Sequence, residues 1–129
     1  MRLLLDTHIA LWAVTGSALL PRQAEKAILA ADEVFVSAAS LWEVAIKHAL
    51  RRADMPVLLL QALNALVDAG YRILDIKPVH AVRAKALAQL HKDPIDRLLI
   101  AQSLEEPLTL VTADTVLGGY SPAIVVLRS

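Results

Sequence analysis

The sequence predicts an α/β fold, a three-layer α/β/α sandwich around a parallel sheet of about five strands. Short apolar and β-branched runs recur along the chain, and each is long enough for a strand but not for a helix. Segments with apolar residues at helical spacing separate these runs, and strands separated by helices pair in parallel through right-handed crossovers. The 129 residues fit one domain, so we expect a single unit spanning 1–129.

The first part of the chain is predicted to alternate strand and helix. Leu3–Leu5 is an apolar triplet that fits a strand buried on both faces. Thr7–Val14 follows as a short helix. Pro21 suits the first position of a second helix, which runs to about Ala31. The β-branched and aromatic run Val34–Ser37 predicts the second strand.

Two helices are predicted in the middle of the chain. Ser40 and Glu43 have the spacing of a capping box, which predicts a helix from Ser40 to about Leu50 with Glu43 in its first turn. Trp42 widens the apolar stripe of this helix, so we expect its ring to lie in the core. A second helix spans about 56–69, opened by a proline and stopped by a glycine.

The remaining elements repeat the alternation. Tyr71–Ile76 is the third predicted strand. Pro78 opens a helix in which four apolar residues align on one face: Val79, Val82, Ala86 and Leu90. Asp93 is predicted to cap the next helix, which begins with Pro94 and runs to about Leu104. Leu108–Val111 and Ile124–Leu127 are the fourth and fifth strands.

Composition excludes some classes of protein. Basic and acidic residues both number 13, so the formal net charge is zero and gives no indication of nucleic-acid binding. The chain has no cysteine, which excludes disulfides and thiolate zinc sites. Hydrophobic residues make up 57% of the chain, which favours burial of surface against a partner or a second copy. No apolar run approaches the roughly 18 residues of a membrane span, so we expect a cytoplasmic protein.

Four carboxylates fall near places where the predicted sheet would have its carboxyl edge. One ends the first strand, two lie in first turns of helices, and one follows the fourth strand: Asp6, Glu43, Asp96 and Asp114. Ligands of open α/β sheets bind at this edge. Helix capping or turn formation would explain each acid singly. The helix after Asp96, however, is apolar nearly all round, so it is predicted to be buried, and a buried acid needs a partner.

Convergence of these four acids would predict a metal site. The motifs hold too few basic residues to neutralise them, and converging carboxylates raise one another's pKa. A hard divalent cation removes that conflict. Oxygen ligands without cysteine fit Mg²⁺ or Mn²⁺ better than zinc, and such ions bind phosphates, which indicates phosphodiester chemistry.

Four stretches together resemble a known family. They are Leu4–His8, Ser40–Glu43, Asp93–Gln102 and Val111–Asp114. In this order and spacing the chain resembles a PIN-domain ribonuclease of the VapC toxin kind found in bacterial toxin–antitoxin pairs. The resemblance implies that the four acids are the catalytic, metal-binding positions of a Mg²⁺- or Mn²⁺-dependent endoribonuclease. It also implies an α/β/α fold, a cognate antitoxin and a homodimer.

Other residues are candidates for supporting roles. Thr7 and Thr112 are expected to hydrogen-bond the acids or the substrate, although a local turn or cap would equally explain them. RNA phosphates need a local basic patch, for which the candidates are Lys47, Arg51 and Arg97. Alternatively, Lys47 only pairs with the glutamate four residues before it. The four histidines are expected to be structural: His8, His48, His80 and His91.

Two other functions remain open on the sequence. A non-catalytic binding module of the same fold would retain the acids for capping. A metal-dependent deoxyribonuclease would use the same chemistry, because the same ions cut either backbone. A phosphatase with Asp6 as nucleophile is disfavoured, since such enzymes typically carry a second aspartate where this chain has His8.

Overall fold

The computed structural model describes residues 1–49, 55–87, 93–114 and 124–126. Strands and helices occur in the predicted order: β1 (Arg2–Leu5), α1 (Thr7–Thr15), α2 (Arg22–Ala30), β2 (Glu33–Ser37), α3 (Ala38–Ala49), α4 (Met55–Asp68), β3 (Arg72–Leu74), α5 (Pro78–Ala86), α6 (Pro94–Glu105), β4 (Thr109–Thr112) and β5 (Ile124–Val126). None of the helices in these ranges is long and apolar enough to cross a membrane.

The strands of the described ranges form one parallel, five-stranded sheet in the order β3-β2-β1-β4-β5. β1 is central, with Leu4 in register with Phe35 of β2 and Leu110 of β4. A 2.9 Å bond from the N–H of Asp6 to the carbonyl of Val111 continues the β1–β4 ladder past the end of β1. Strands β2 and β3 lie on one side of β1, and β4 and β5, which come later in the chain, lie on the other. The strand order therefore reverses between β1 and β4, which is where α/β sheets place their ligands.

Alternate residues of β1 face two separate cores. Leu3 and Leu5 pack with residues of α1, α2 and α4 on one face of the sheet. Leu4 packs with residues of α6 on the other face, where Leu87, just after α5, also contributes. Two helical layers therefore cover the central sheet, and the predicted three-layer sandwich is confirmed.

The predicted start of α3 is wrong. The helix begins at Ala38, two residues before Ser40. The hydroxyl of Ser37 accepts the N–H of Ala39 at 3.0 Å, whereas the hydroxyl of Ser40 accepts a bond from Thr7 on α1. Ser40 therefore does not cap the helix, and Glu43 lies in its second turn rather than its first.

Several predicted faces and boundaries also differ. Trp42 is 62% exposed, so the prediction of a core position for it is wrong. On α5, Val79 and Val82 are exposed and His80 is fully buried. The helix therefore packs against α6 through a face other than the predicted one. Pro21 lies just before α2, and β3 is three residues long. Leu50 and Leu90 lie outside the described residues.

Candidate active site

A single cleft of about 370 Å³ lies at the carboxyl edge of the sheet, and the four predicted acids line it. Asp6 follows β1, Glu43 is on α3, Asp96 is in the first turn of α6, and Asp114 follows β4. The remaining lining residues are His8, Trp12, Lys47, Asp93 and Ala113. Four separate segments of the chain thus bring their acids to one place.

Asp6 is held at both carboxylate oxygens. Its Oδ1 accepts the N–H of Thr7 at 2.6 Å, which caps α1, and its Oδ2 accepts the hydroxyl of Thr112 at 2.6 Å. Burial raises the pKa of Asp6 above its usual value, and these two hydrogen bonds only partly offset that rise. Each carboxylate oxygen can accept more than one bond, so Asp6, which lines the cleft, retains lone pairs for a further ligand.

The two predicted supporting threonines both act on the geometry of the acids. The Thr112 hydroxyl also accepts the N–H of Asp114 at 3.0 Å, so it contacts two of the acids. The Thr7 hydroxyl instead donates to Ser40 at 2.9 Å and ties α1 to the helix that carries Glu43. Ser40 is a positioning residue that the sequence did not reveal, because its capping pattern offered a local explanation.

Glu43 is paired with a lysine of its own helix. Nζ of Lys47 lies 2.9 Å from Oε2 of Glu43, one turn away. The glutamate is buried and the lysine side chain is 60% exposed, so the ion pair lies at the mouth of the cleft. The hydrogen bond to Glu43 raises the pKa of Lys47, and the charges of Asp93 and Asp96 raise it further. The predicted i,i+4 pair is therefore present.

Asp93 is a fifth carboxylate of the cleft. It caps α6 as predicted, since its Oδ1 accepts the N–H groups of Ile95 at 2.9 Å and Asp96 at 3.3 Å. Its position in the cleft was missed, because capping alone accounts for an aspartate before a helical proline. Its place three residues before Asp96 was the available signal.

Electrostatic conflict in the cleft is concentrated at Asp96. Burial, followed by the negative charges of Asp93 and of the other three acids, raises the pKa of Asp96 from 3.8 to about 7. A carboxyl group that resists ionisation because it is buried beside other carboxylates is stabilised in its charged form by a cation. The donor set, which is made of carboxylate oxygens, fits Mg²⁺ or Mn²⁺.

The acids share the cleft without forming a finished coordination sphere. Within the described ranges, no three histidine, aspartate or glutamate side chains could hold a metal ion as they stand. Glu43 is turned toward Lys47. Binding of a divalent ion would therefore need side-chain movement, for which the partly exposed Lys47 leaves room.

The outcome differs among the other residues that the sequence singled out. Arg97 follows Asp96 on α6 and is partly buried, and Arg51 lies outside the described residues. His8 and Trp12 line the cleft with their ring centres 5.8 Å apart, a contribution that the sequence did not indicate. His80 is structural as predicted, with Nε2 2.7 Å from Glu106. The side chain of His48 and the whole of His91 are outside the described part.

The sequence model of the PIN domain matches residues 3–120. The chain belongs to the PIN domain family. All four stretches that predicted this family lie within the matched residues. This PIN domain is 35% identical to ribonuclease VapC22 of Mycobacterium tuberculosis over 118 aligned residues. The alignment covers 91% of this chain and 90% of that protein.

Solved structures share the PIN fold. A toxin–antitoxin complex from Klebsiella pneumoniae superposes with a TM-score of 0.68 at 24% identity, over 95% of both chains. A DNA-bound VapBC from Salmonella typhimurium superposes with a TM-score of 0.69 at 19% identity, over 98% of this chain and 96% of that one. At these identities the similarity is one of fold.

Proposed function

We propose that this PIN domain is the toxin of a toxin–antitoxin pair, an endoribonuclease that hydrolyses RNA phosphodiesters with Mg²⁺ or Mn²⁺. The observation that carries the proposal is the single cleft lined by the four acids. The similarity to a protein named ribonuclease VapC22 supports the substrate class. Residues 1–129 would form one catalytic domain that acts in the cytoplasm.

The four acids would hold the ion or ions. A divalent ion bound there would supply activated water and stabilise the leaving oxygen of the phosphodiester. Thr112 and the N–H of Thr7 fix the carboxylate of Asp6 in advance, so little ordering is left for the bound state. The pKa of Asp96 is raised to about 7, and the group would have to be ionised to become a ligand.

RNA would enter at the exposed mouth of the cleft. Because the net charge is zero, phosphates must be held by local cations, and Lys47 is exposed at that mouth. Arg97, next to Asp96, and Arg51, which follows the residues of α3 in the sequence, are the other proposed phosphate contacts.

An antitoxin and a second copy are the proposed protein partners. The Klebsiella pneumoniae structure of similar fold is a toxin–antitoxin complex. Large apolar side chains exposed on the described surface would be covered by such partners, among them Leu29, Trp42 and Val82. Light scattering of the purified chain tests the dimer, and co-purification with the product of an adjacent reading frame tests the antitoxin.

The decisive experiment is RNA cleavage with and without a metal chelator. We expect cleavage with added Mg²⁺ or Mn²⁺, none in excess EDTA, and loss of activity in Asp6→Asn. Asp68→Asn is the matched control, because Asp68 is an exposed aspartate at the end of α4 that does not line the cleft. Full cleavage in EDTA, or by the Asp6→Asn protein, would contradict the proposal.

The same assay separates the alternatives. A DNA oligonucleotide of the same sequence, cut as fast as the RNA, would indicate a general nuclease. A non-catalytic binding module would cut neither and would show no thermal stabilisation by Mn²⁺, whereas a true metal site binds the folded state and raises the melting temperature.

A further inference from the structure

Lys47 differs from an ordinary surface lysine in where its charge is placed. Its Nζ lies 2.9 Å from Oε2 of Glu43, a side chain that is only 11% exposed. Most surface ion pairs join two exposed groups and contribute little. Here one partner is buried in the cleft and the other reaches it from solvent along a flexible stem.

The ammonium of Lys47 also interacts with acids on another helix. Besides Glu43, the charges of Asp93, which caps α6, and of Asp96, in the first turn of α6, attract it. The cleft that it lines carries five carboxylates in all, which are the four acids and Asp93. Lys47 therefore supplies positive charge at the same carboxylates that a divalent ion would use.

We propose that Lys47 is a tethered counter-cation, which neutralises Glu43 while no divalent ion is bound and competes with that ion for the Glu43 carboxylate. The inference rests on the proposed function, because it takes Glu43 to be a metal ligand. Two cations cannot share one carboxylate oxygen at contact distance without repulsion. Binding of a metal ion to Oε2 would thus require Lys47 to withdraw from that oxygen, and an ion bound at the other oxygen would still be repelled by the ammonium.

This arrangement has two effects of opposite sign. Removing the lysine charge leaves the carboxylates unbalanced, so the metal-free protein becomes less stable. Removing it also frees Glu43 and abolishes repulsion of the incoming ion, so metal binding becomes tighter. An ion pair with a purely structural role would produce the first effect without the second.

The test is Mn²⁺ affinity, measured by calorimetric titration without RNA for the wild-type protein and for Lys47→Met. We expect Mn²⁺ to bind Lys47→Met about three- to tenfold more tightly, the range given by losing one partly exposed ion pair and its repulsion of the ion. In EDTA the same variant should melt at a lower temperature than the wild type. Lys47→Arg, which keeps the charge, should bind Mn²⁺ as weakly as the wild type.

Two controls isolate the site. Lys26→Met removes an exposed lysine on α2, which does not line the cleft, and should leave the Mn²⁺ affinity unchanged. In a Glu43→Gln background the gain from Lys47→Met should shrink, because the carboxylate for which both cations compete is gone.

The outcomes distinguish the two proposals. Equal or weaker Mn²⁺ binding by Lys47→Met, with clear binding by the wild type, overturns the role of Lys47 and leaves the metal site standing. Failure of all variants to bind Mn²⁺ overturns the metal site of the proposed function, and the inference about Lys47 with it.

Discussion

The hydroxyl of Thr112 donates a 2.6 Å hydrogen bond to Oδ2 of Asp6, joining residues 106 positions apart in the sequence. The contact exists because β1 and β4 are parallel neighbours, so the residues at their carboxyl ends meet. The same hydroxyl accepts the N–H of Asp114. One buried side chain therefore orients two of the four acids.

Thr112→Val keeps the shape of this side chain and removes its hydroxyl. We expect the free energy of unfolding to fall by about 1–2 kcal/mol, because the bonds to Asp6 and Asp114 are lost in a buried place. Cleavage should fall about 10- to 100-fold, as is usual when a partner that orients a metal ligand is removed. Urea unfolding and RNA cleavage measure the two effects. Thr109→Val, at the other end of β4, should retain activity, and equal loss in both variants would count against this role.

Stability in EDTA should depend on pH through Asp96. Its pKa is 3.8 ordinarily and about 7 in the fold, so between these values the folded state keeps a proton that the unfolded chain has lost. Stability from this group is therefore greatest near pH 4 and declines as the pH rises to about 7, above which it is constant. Thermal unfolding of wild type and Asp96→Asn across this range measures the difference. Parallel pH profiles of the two proteins would refute it.

Asp93 combines a capping role with a charge, and two substitutions separate them. Asp93→Ala removes the cap of α6 and should cost about 0.5–2 kcal/mol of unfolding free energy. Asp93→Ser keeps a capping oxygen without the charge, so it should retain most of the stability while lowering the pKa of Asp96. Urea unfolding and NMR titration of Asp96 are the measurements. A pKa of Asp96 that stays near 7 in the serine variant would disprove the electrostatic part.

His80 should matter for stability and not for metal binding. Its Nδ1 accepts the N–H of Lys77 at 3.0 Å at the start of α5, and its Nε2 lies 2.7 Å from Glu106 beyond α6, in a fully buried position. His80→Ala should lower the unfolding free energy by about 2–4 kcal/mol, because buried polar partners lose their bonds. The exposed His8 is the control, and His8→Ala should stay within about 0.5 kcal/mol of wild type. A changed Mn²⁺ affinity in His80→Ala would contradict its purely structural role.

The fold class and the meeting of the acids could be predicted because their signals are local. An apolar run such as Leu3–Leu5 is recognised as a strand because it is too short for a helix. The alternation of such strands with helices then predicts parallel pairing. Parallel pairing then brings acids at strand ends to one edge, which is how Asp6 and Asp114 come together. The cap at Asp93 was also predicted, since capping depends on a few adjacent residues.

What could not be predicted depends on contacts between distant segments. Ser40 has a capping pattern, but Thr7 from α1 uses its hydroxyl. Val82 was predicted to lie on the packed face of α5, but it is exposed. His80 is buried instead, with its Nε2 2.7 Å from Glu106. Each competing contact joins residues more than 20 positions apart, beyond the reach of periodicity.

The central position of β1 governs when the cleft is completed during translation. Arg2–Leu5 is synthesised before its neighbour β4, and six of the described helices and two of the described strands lie between them in the chain. Until β4 is made, Asp6 has neither Thr112 nor the acid that follows β4. The acids that follow β1 and β4 therefore cannot meet until β4 has been made and has joined the sheet, so the cleft forms late in the folding of this domain.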